Sequence, residues 1–200
     1  MIIFRAGGRG ISARLDARTV AGCKAALFAV IGVASGAASG AVSACAKAGL
    51  VGGVYQGDGF SFRVPNEPNG WELIEVSDAA MAFRDEASAA TILVNGRCDK
   101  DGDDVPLSSL TQHLFMRFTE REVTREEVVP LDGREALHTV VTAKLDGVPK
   151  SFSAWVLKKD GCVFDLVYVA DPERFAAGVA RFDAYATQLR VMPRDGDGGR

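Results

Sequence analysis

Histidine and cysteine, two side chains common in catalytic and metal sites, are few in this sequence. The 200 residues include two histidines and four cysteines, and no Gly-x-Ser-x-Gly motif of the kind that presents a nucleophilic serine. His113 and His138 have no neighbouring ligands at metal-binding spacing. We therefore expect no catalytic residue, no metal and no cofactor, and we keep a hydrolase only as a weak alternative.

Acidic side chains are almost missing from the N-terminal part of the chain. Up to residue 44 the only one is Asp16, which is outnumbered by five basic residues. The rest of the chain carries 25 acidic and 18 basic residues, so the part expected to fold is acidic. Because an acidic surface repels a phosphate backbone, nucleic acid is excluded as a partner.

A charge-free segment, Ala25 to Ala44, follows the basic residues. Its first half is apolar and its second half is rich in small residues, which is the pattern of a secretory signal peptide. It ends in Val42-Ser43-Ala44-Cys45, which resembles the bacterial lipobox, with Val where Leu is usual. In lipoproteins with this motif the cysteine is acylated and becomes the mature N-terminus. The resemblance implies that residues 1–44 are removed and that Cys45 carries a lipid.

Two other fates of this segment stay open. The ordinary signal peptidase also accepts Val-Ser-Ala and would release a soluble protein, and the 20 uncharged residues could instead remain as a transmembrane anchor. The stretch before the apolar run is long, which suggests that translation begins near Val20. As a lipoprotein, the chain would be exported to the bacterial cell envelope and face the periplasm, with residues 45–53 as the acylated cysteine and a flexible tether.

Three Asp-Gly pairs punctuate the C-terminal half at equal spacing: Asp132-Gly133, Asp146-Gly147 and Asp160-Gly161. Asp-Gly favours a two-residue hairpin turn because both residues accept a positive φ angle. The segments between the pairs are rich in β-branched and aromatic residues. The spacing predicts a four-stranded antiparallel meander over residues 123–170.

Both faces of this meander are apolar. Pairing across the second turn places Leu137 opposite Val156, Thr139 opposite Ala154 and Val141 opposite Phe152. The other face collects Val140, Trp155, Leu157, Phe164, Leu166 and Tyr168. Because both faces need covers, we expect helices on both sides of the sheet. Asp165 interrupts the first face and, if buried, must find a hydrogen-bond partner or a cation.

Two helices are predicted to supply these covers. Residues 106–119 have apolar side chains at helical spacing, and a second helix begins at Asp171-Pro172-Glu173, with Asp171 as its capping residue. Alternating or continuous apolar runs predict strands within 54–65, 71–76, 80–84 and 89–94. The acidic loop 98–104 fails the EF-hand ligand pattern. The sequence therefore predicts an α+β domain over 54–192 and a disordered tail over 193–200.

The order of these elements resembles that of a known superfamily. Phe60-Ser-Phe-Arg-Val-Pro65, a Gly70-Trp71 pair, an apolar strand, a helix, the meander and a terminal helix starting Asp-Pro-Glu-Arg-Phe are similar to the PsbP-like α/β/α sandwich. That superfamily includes the extrinsic P subunit of photosystem II, a Ran-binding nuclear import factor and bacterial envelope lipoproteins. The resemblance implies a fold that binds or assembles with partners, and it carries no catalytic residues.

Two cysteines of the folded part, Cys98 and Cys162, are candidates for a disulfide because an exported domain meets an oxidising compartment. Two separate buried thiols are the alternative. The functional expectation is a non-catalytic envelope lipoprotein that binds an envelope protein or assists a complex. A carrier or sensor of a small apolar ligand, bound between a helix and the sheet, is the second hypothesis.

Overall fold

The computed structural model describes residues 49–51, 53–66, 70–98 and 104–193, which belong to one compact unit. The predicted signal peptide, Cys45 and the tail beyond residue 193 lie outside the described residues. The strands are β1 (Gly49–Val51), β2 (Val54–Gln56), β3 (Ser61–Arg63), β4 (Trp71–Ile74), β5 (Met81–Asp85), β6 (Ala90–Arg97), β7 (Thr119–Leu131), β8 (Arg134–Leu145), β9 (Val148–Lys159), β10 (Cys162–Ala170) and β11 (Arg190–Val191). The helices are α1 (Leu107–Leu114) and α2 (Pro172–Ala186).

The larger of two sheets has seven strands within the described part of the chain, in the order β4-β5-β6-β10-β9-β8-β7. Every neighbouring pair is antiparallel. Strands β7 to β10 follow one another along the chain and pair in that order, and β7 begins at Thr119, ahead of the predicted start at 123. This sheet is the layer on which both helices pack.

The Asp-Gly turns set the register of this region. Asp146 and Gly147 have φ angles of 51° and 81°, and the other two pairs are also positive at both positions. The predicted pairs across this turn are confirmed, since Leu137 lies opposite Val156 and Thr139 opposite Ala154. A turn of this type twists in the same sense as the strands it joins, so local chemistry is sufficient to fix the hairpin.

The two faces of the large sheet are covered differently. Helix α2 packs on the face that carries Trp155, Leu166 and Tyr168, where Phe182 is fully buried. Helix α1 packs on the other face, where its Leu110 contacts the cluster of Val156 and Val163. The division of the apolar residues between the faces follows the strand alternation that the sequence predicted.

Helix α1 is shorter than predicted. It ends at Leu114 and is followed by a turn in which the Phe118 N–H donates to the Phe115 carbonyl. Both phenylalanines still pack on Phe152, with ring centroids 4.8 and 5.4 Å away. The helical spacing therefore identified the apolar residues correctly, but the chain must reverse before β7 starts at Thr119, and this reversal ends the helix early.

Asp171 has the predicted position at the start of α2 but not the predicted capping hydrogen bond. Asp171 occupies the N-cap position of α2 with an extended backbone, but its side chain makes no capping hydrogen bond. It pairs instead with the ammonium group of Lys150 on β9. A charged partner from the sheet competes with the helix N–H groups for the same carboxylate.

The smaller sheet has four strands among the described residues, in the order β1-β2-β3-β11. Residues 49–51, expected to be part of the tether, form its first strand and pair with β2. Phe60 and Phe62 contact the Phe164 ring edge-on, on the same face of the large sheet as α2. The folded unit therefore begins at or before residue 49, not at 54.

The first Asp-Gly turn joins the two sheets. Asp132 accepts hydrogen bonds of 2.8 Å from the Lys159 ammonium group on β9 and from the Val191 N–H on β11. One turn carboxylate thereby anchors the C-terminal strand of the small sheet to the end of the large sheet.

Candidate functional site

The Cys98–Cys162 disulfide is present in the structure, and the alternative of two free thiols is wrong. Cys98 directly follows β6 and Cys162 begins β10, and these two strands are neighbours in the large sheet. The bridge therefore joins the ends of two neighbouring antiparallel strands, at the end of the sheet from which the chain continues towards α1. Its position indicates a role in stability, not in redox chemistry.

The two histidines lie far apart in the fold and in different surroundings. His113 is exposed in the last turn of α1, on one side of the sheet. His138 is buried on the opposite face, in the layer covered by α2. Within the described ranges there is no group of three or more histidine, cysteine or acidic side chains placed to hold a metal ion.

His138 belongs to a buried polar cluster that sequence reasoning did not find. Its Nε2 lies 2.9 Å from Ser153 Oγ, and Ser153 Oγ donates to Asp183 Oδ1 at 2.8 Å. Trp155 Nε1 donates to the same carboxylate oxygen at 2.9 Å, and its ring stacks on His138 with centroids 4.3 Å apart. Glu127 approaches the other ring nitrogen of His138 at 3.5 Å. Histidine, serine and aspartate are thus neighbours, as in a hydrolase.

The arrangement differs from a working catalytic triad in hydrogen bonding and in access. In a catalytic triad the histidine takes the serine proton and an acid holds the opposite ring nitrogen. Here Glu127 lies 3.5 Å from that opposite nitrogen, but the Ser153 hydroxyl donates to Asp183, which lies on the Nε2 side of the ring with the serine. Ser153 is also 0% exposed. The cluster fastens α2 to strands β8 and β9, which is a structural task.

The electrostatics of Asp183 agree with this role. Burial works to raise the pKa of Asp183, but the hydrogen bonds from His138, Trp155 and Ser153 together hold it below its usual value. The carboxylate is therefore charged and hydrogen-bonded in the folded state, and it is not poised to exchange a proton near neutral pH.

Asp165 is buried on the α1 face of β10, as the sequence suggested, and it has partners. Arg97 Nη1 donates to it at 3.1 Å and Asn95 Nδ2 at 3.2 Å, both from the neighbouring strand β6. Burial raises the pKa of Asp165 despite the Arg97 charge. Asn95 in turn accepts the Ala80 N–H, so the group ties the β4–β5 connection to the centre of the sheet. The prediction of a hydrogen-bonded or ion-paired Asp165 is confirmed.

A second buried carboxylate, Asp85, lies under α2. Ser88 Oγ donates to it at 2.5 Å, and the Arg181 guanidinium pairs with the same oxygen. Burial works to raise the pKa of Asp85, but these donors hold it below its usual value. Gly178 is the point of closest approach of the helix, because a Cβ there would lie 2.5 Å from the Tyr168 hydroxyl. Nothing in the sequence identified this cluster, since its members are scattered over four elements.

A groove between the two sheets is a concave feature of the described residues that could take a ligand. It has a volume of about 780 Å³ and is lined by residues of β1, β2, β4 and β5 and of the β4–β5 connection. Leu50 and Leu73 are exposed on its rim, and Tyr55 and Met81 lie deeper. Its other lining residues are Gly49, Ile74, Glu75, Val76, Ser77, Ala79, Ala80 and Ala82. No helix residue lines this groove, so it is not the space between a helix and the sheet that the second hypothesis required.

The groove could not be read from the sequence because its walls come from two sheets. The hairpin of β4 and β5 supplies one wall, and the β1–β2 pair, which was expected to be tether, supplies the other. None of the helices formed by the described residues is both long enough and apolar enough to span a bilayer.

Comparisons with known proteins identify the fold. No protein-family model matches the chain, and no curated protein matches it by sequence. Among solved structures it is similar to cyanobacterial PsbP (CyanoP) from Synechocystis sp. PCC 6803, with a TM-score of 0.51, 17% identity, and coverage of 76% of this chain and 99% of that one. It also matches LpqN, involved in cell envelope biogenesis of Mycobacterium tuberculosis, with a TM-score of 0.47, 16% identity, and coverage of 66% and 83%. The described domain therefore has the PsbP-like fold.

Proposed function

We propose that this chain is a non-catalytic lipoprotein of the bacterial cell envelope whose domain binds a protein while acylated Cys45 holds it at the membrane. The observation that carries the proposal is the position of β1. Gly49 lies four residues after Cys45 and lines the groove, so at most about 14 Å of chain separates the lipid from that wall. The anchor would therefore keep the groove close to the membrane surface.

The interior of the domain supports a binding role over a catalytic one. In its cluster of histidine, serine and aspartate, Ser153 is buried and its hydroxyl donates a hydrogen bond to Asp183. The buried carboxylates Asp85 and Asp165 and the partly buried Asp183 all have donors from the protein itself. The groove is lined mainly by apolar residues, and its polar side chains are those of Tyr55, Glu75 and Ser77.

The lipoprotein part is tested by expressing the full chain in a bacterium and analysing its N-terminal peptide by mass spectrometry. We expect the mature chain to begin at an acylated Cys45 and to fractionate with membranes. Cys45→Ser should abolish both, while Cys23→Ser, the matched cysteine control upstream, should abolish neither. An unmodified residue 45, or an intact segment before it in the mature protein, would contradict the lipoprotein assignment.

A carrier of a small apolar ligand is the second candidate, and the groove volume favours it. About 780 Å³ falls in the range of ~300–1,000 Å³ typical of small-molecule sites. Oleate is a suitable probe, added to the full chain and followed by native mass spectrometry. Ala79→Trp, inside the groove, should abolish binding, and Val148→Trp, on an exposed strand end, should not. Equal binding by both variants would reject a ligand site in the groove.

A further inference from the structure

The two edges of the large sheet differ in their capacity to accept another strand. Strand β7 forms one edge and is long, but its pairing with β8 is interrupted by two bulges. Glu120 adopts a φ angle of 48°, and Pro130 lacks an N–H donor. Bulges, charges and proline are the devices by which proteins prevent pairing at an open edge. Strand β7 is therefore protected against a partner strand.

Strand β4 forms the other edge; it is four residues long and carries the exposed Glu72, but it has neither a bulge nor a proline. It pairs with β5 in a continuous register from Trp71–Asp85 to Ile74–Ala82. Among the described strands its single neighbour is β5, so the backbone of its other side faces outward. Leu73, in the middle of β4, is 58% exposed. An exposed apolar side chain on a regular edge strand is the usual signature of a surface that accepts an extended segment.

The groove lies beside this edge on the face of Leu73. Side chains alternate along a strand, so Trp71 and Leu73 share one face of β4 while Glu72 and Ile74 share the other. Trp71 and the partly buried Tyr55 belong to the same apolar cluster. A strand added to β4 would place every second side chain over the Leu73 face, next to the groove, and the intervening ones beside Glu72.

Acidic side chains predominate around this edge, although Arg84 on β5 lies opposite Glu72 and pairs with Glu86. From Val64 to Phe83 the sequence contains no lysine or arginine. The described acidic residues of this stretch, Glu72, Glu75 and Asp78, are all exposed. Since like charges across a strand pair are destabilising and opposite charges stabilise it, an incoming segment with basic residues is favoured.

We propose that the β4 edge binds an extended segment of a partner protein in which apolar residues alternate with lysine or arginine. The segment pairs with β4 as an added strand, its apolar side chains contact Leu73 and enter the groove, and its basic side chains lie near Glu72 and Glu75. This inference rests on the proposed protein-binding function and assigns it a surface and a partner chemistry.

The test uses two synthetic peptides, Lys-Val-Lys-Leu-Lys-Val-Lys and its acidic counterpart Glu-Val-Glu-Leu-Glu-Val-Glu, titrated into the ¹⁵N-labelled full chain. We expect the basic peptide alone to shift the amide signals of residues 71–76, with binding that weakens at high salt. Leu73→Lys should weaken binding by about tenfold or more, because it removes the apolar contact and adds a positive charge that repels the basic peptide. Val128→Lys on β7 is the matched control, since Val128 is 59% exposed, and it should leave binding unchanged.

Three results would overturn the assignment of this edge: shifts that map to β7, equal binding of the acidic peptide, or no binding up to about 1 mM peptide. If Leu73→Lys unfolds the chain, Glu75→Lys tests the charge alone. A photo-crosslinking residue placed at 73 or at 128 in cells separates this inference from the proposed function. Crosslinking of an envelope protein from position 128 alone would keep the protein-binding function and reject the β4 edge, whereas no crosslink from either position would reject both.

Discussion

Replacing Gly178 with alanine should destabilise the domain, although it lies inside a helix where alanine is normally preferred. A Cβ at this position would lie 2.5 Å from the Tyr168 hydroxyl, 2.8 Å from Ser88 Oγ and 3.1 Å from Asp85 Oδ2. All three neighbours are buried. The clash therefore cannot be relieved by moving a side chain into solvent, and either the helix shifts or the hydrogen bonds of Asp85 open.

The magnitude follows from two opposing effects. Alanine stabilises a helix interior by ~1 kcal/mol relative to glycine. Overpacking a filled site costs ~1–3 kcal/mol, and weakening a hydrogen bond to a buried charge costs ~1.5–3 kcal/mol more. We expect a net loss of ~3 kcal/mol in the free energy of unfolding, or a fall of ~6–12 °C in the melting temperature of a domain of this size.

The assay is urea unfolding of the oxidised chain followed by circular dichroism. Ala177→Gly, at the exposed neighbouring position of α2, measures the helix-propensity effect alone and should cost ~1 kcal/mol. Tyr168→Phe removes the nearest clashing atom, so the cost of Gly178→Ala should shrink in that background. A Gly178→Ala variant as stable as the parent, or more stable, would refute the close packing of α2 on this cluster.

Three further perturbations have defined outcomes. Replacing Cys98 and Cys162 together with serine opens a loop of 64 residues and should reduce the free energy of unfolding by ~4 kcal/mol, measured by urea unfolding; an unchanged midpoint would exclude a stabilising bridge. Gly147→Val forces a β-branched residue to a φ angle of 81° and should cost ~1–3 kcal/mol without altering export or lipidation, and no loss of stability would contradict the turn. Because the folded-state pKa of Asp183 is lowered, its stabilisation is complete above the unfolded-state value of ~3.9 and is lost as the pH falls through the folded-state value. Asp183→Asn should therefore flatten the decline of stability in acid, and identical pH profiles for variant and parent would contradict the hydrogen-bonded charge.

Local sequence chemistry was sufficient for the C-terminal half of the domain. Asp146-Gly147 requires a two-residue turn, and once that turn forms, the alternation of Leu137, Thr139 and Val141 sets which face is buried. The disulfide could also be predicted from the sequence. The expected export to an oxidising compartment and the small number of cysteines left Cys98 and Cys162 as the candidate pair. These inferences depend on neighbours in sequence or on a very small number of candidates.

Tertiary context decided the features that sequence reasoning missed. Helix α1 ends at Leu114 because the chain must reverse to start β7, and the side chain of Asp171 leaves its helix because Lys150 is brought beside it. The strand at residues 49–51 exists because β2 is there to pair with it. In the case of Asp171 the competing partner lies 21 residues away in the sequence.

The lack of a nucleophile or metal-ligand motif led us to expect no catalysis from the sequence alone. The position of Asp165 on an apolar strand face predicted that it needs partners, and the structure supplies them. Two features were determined only by the packing of strands and helices. The cluster of His138, Ser153 and Asp183 joins residues up to 45 positions apart. The groove beside β4 has walls that belong to two different sheets. Hydrogen-bond direction and burial, which decide that Ser153 is a structural donor, arise from that packing. Periodicity and turn chemistry act over a few residues, whereas a binding surface depends on contacts between elements that meet only in the tertiary structure.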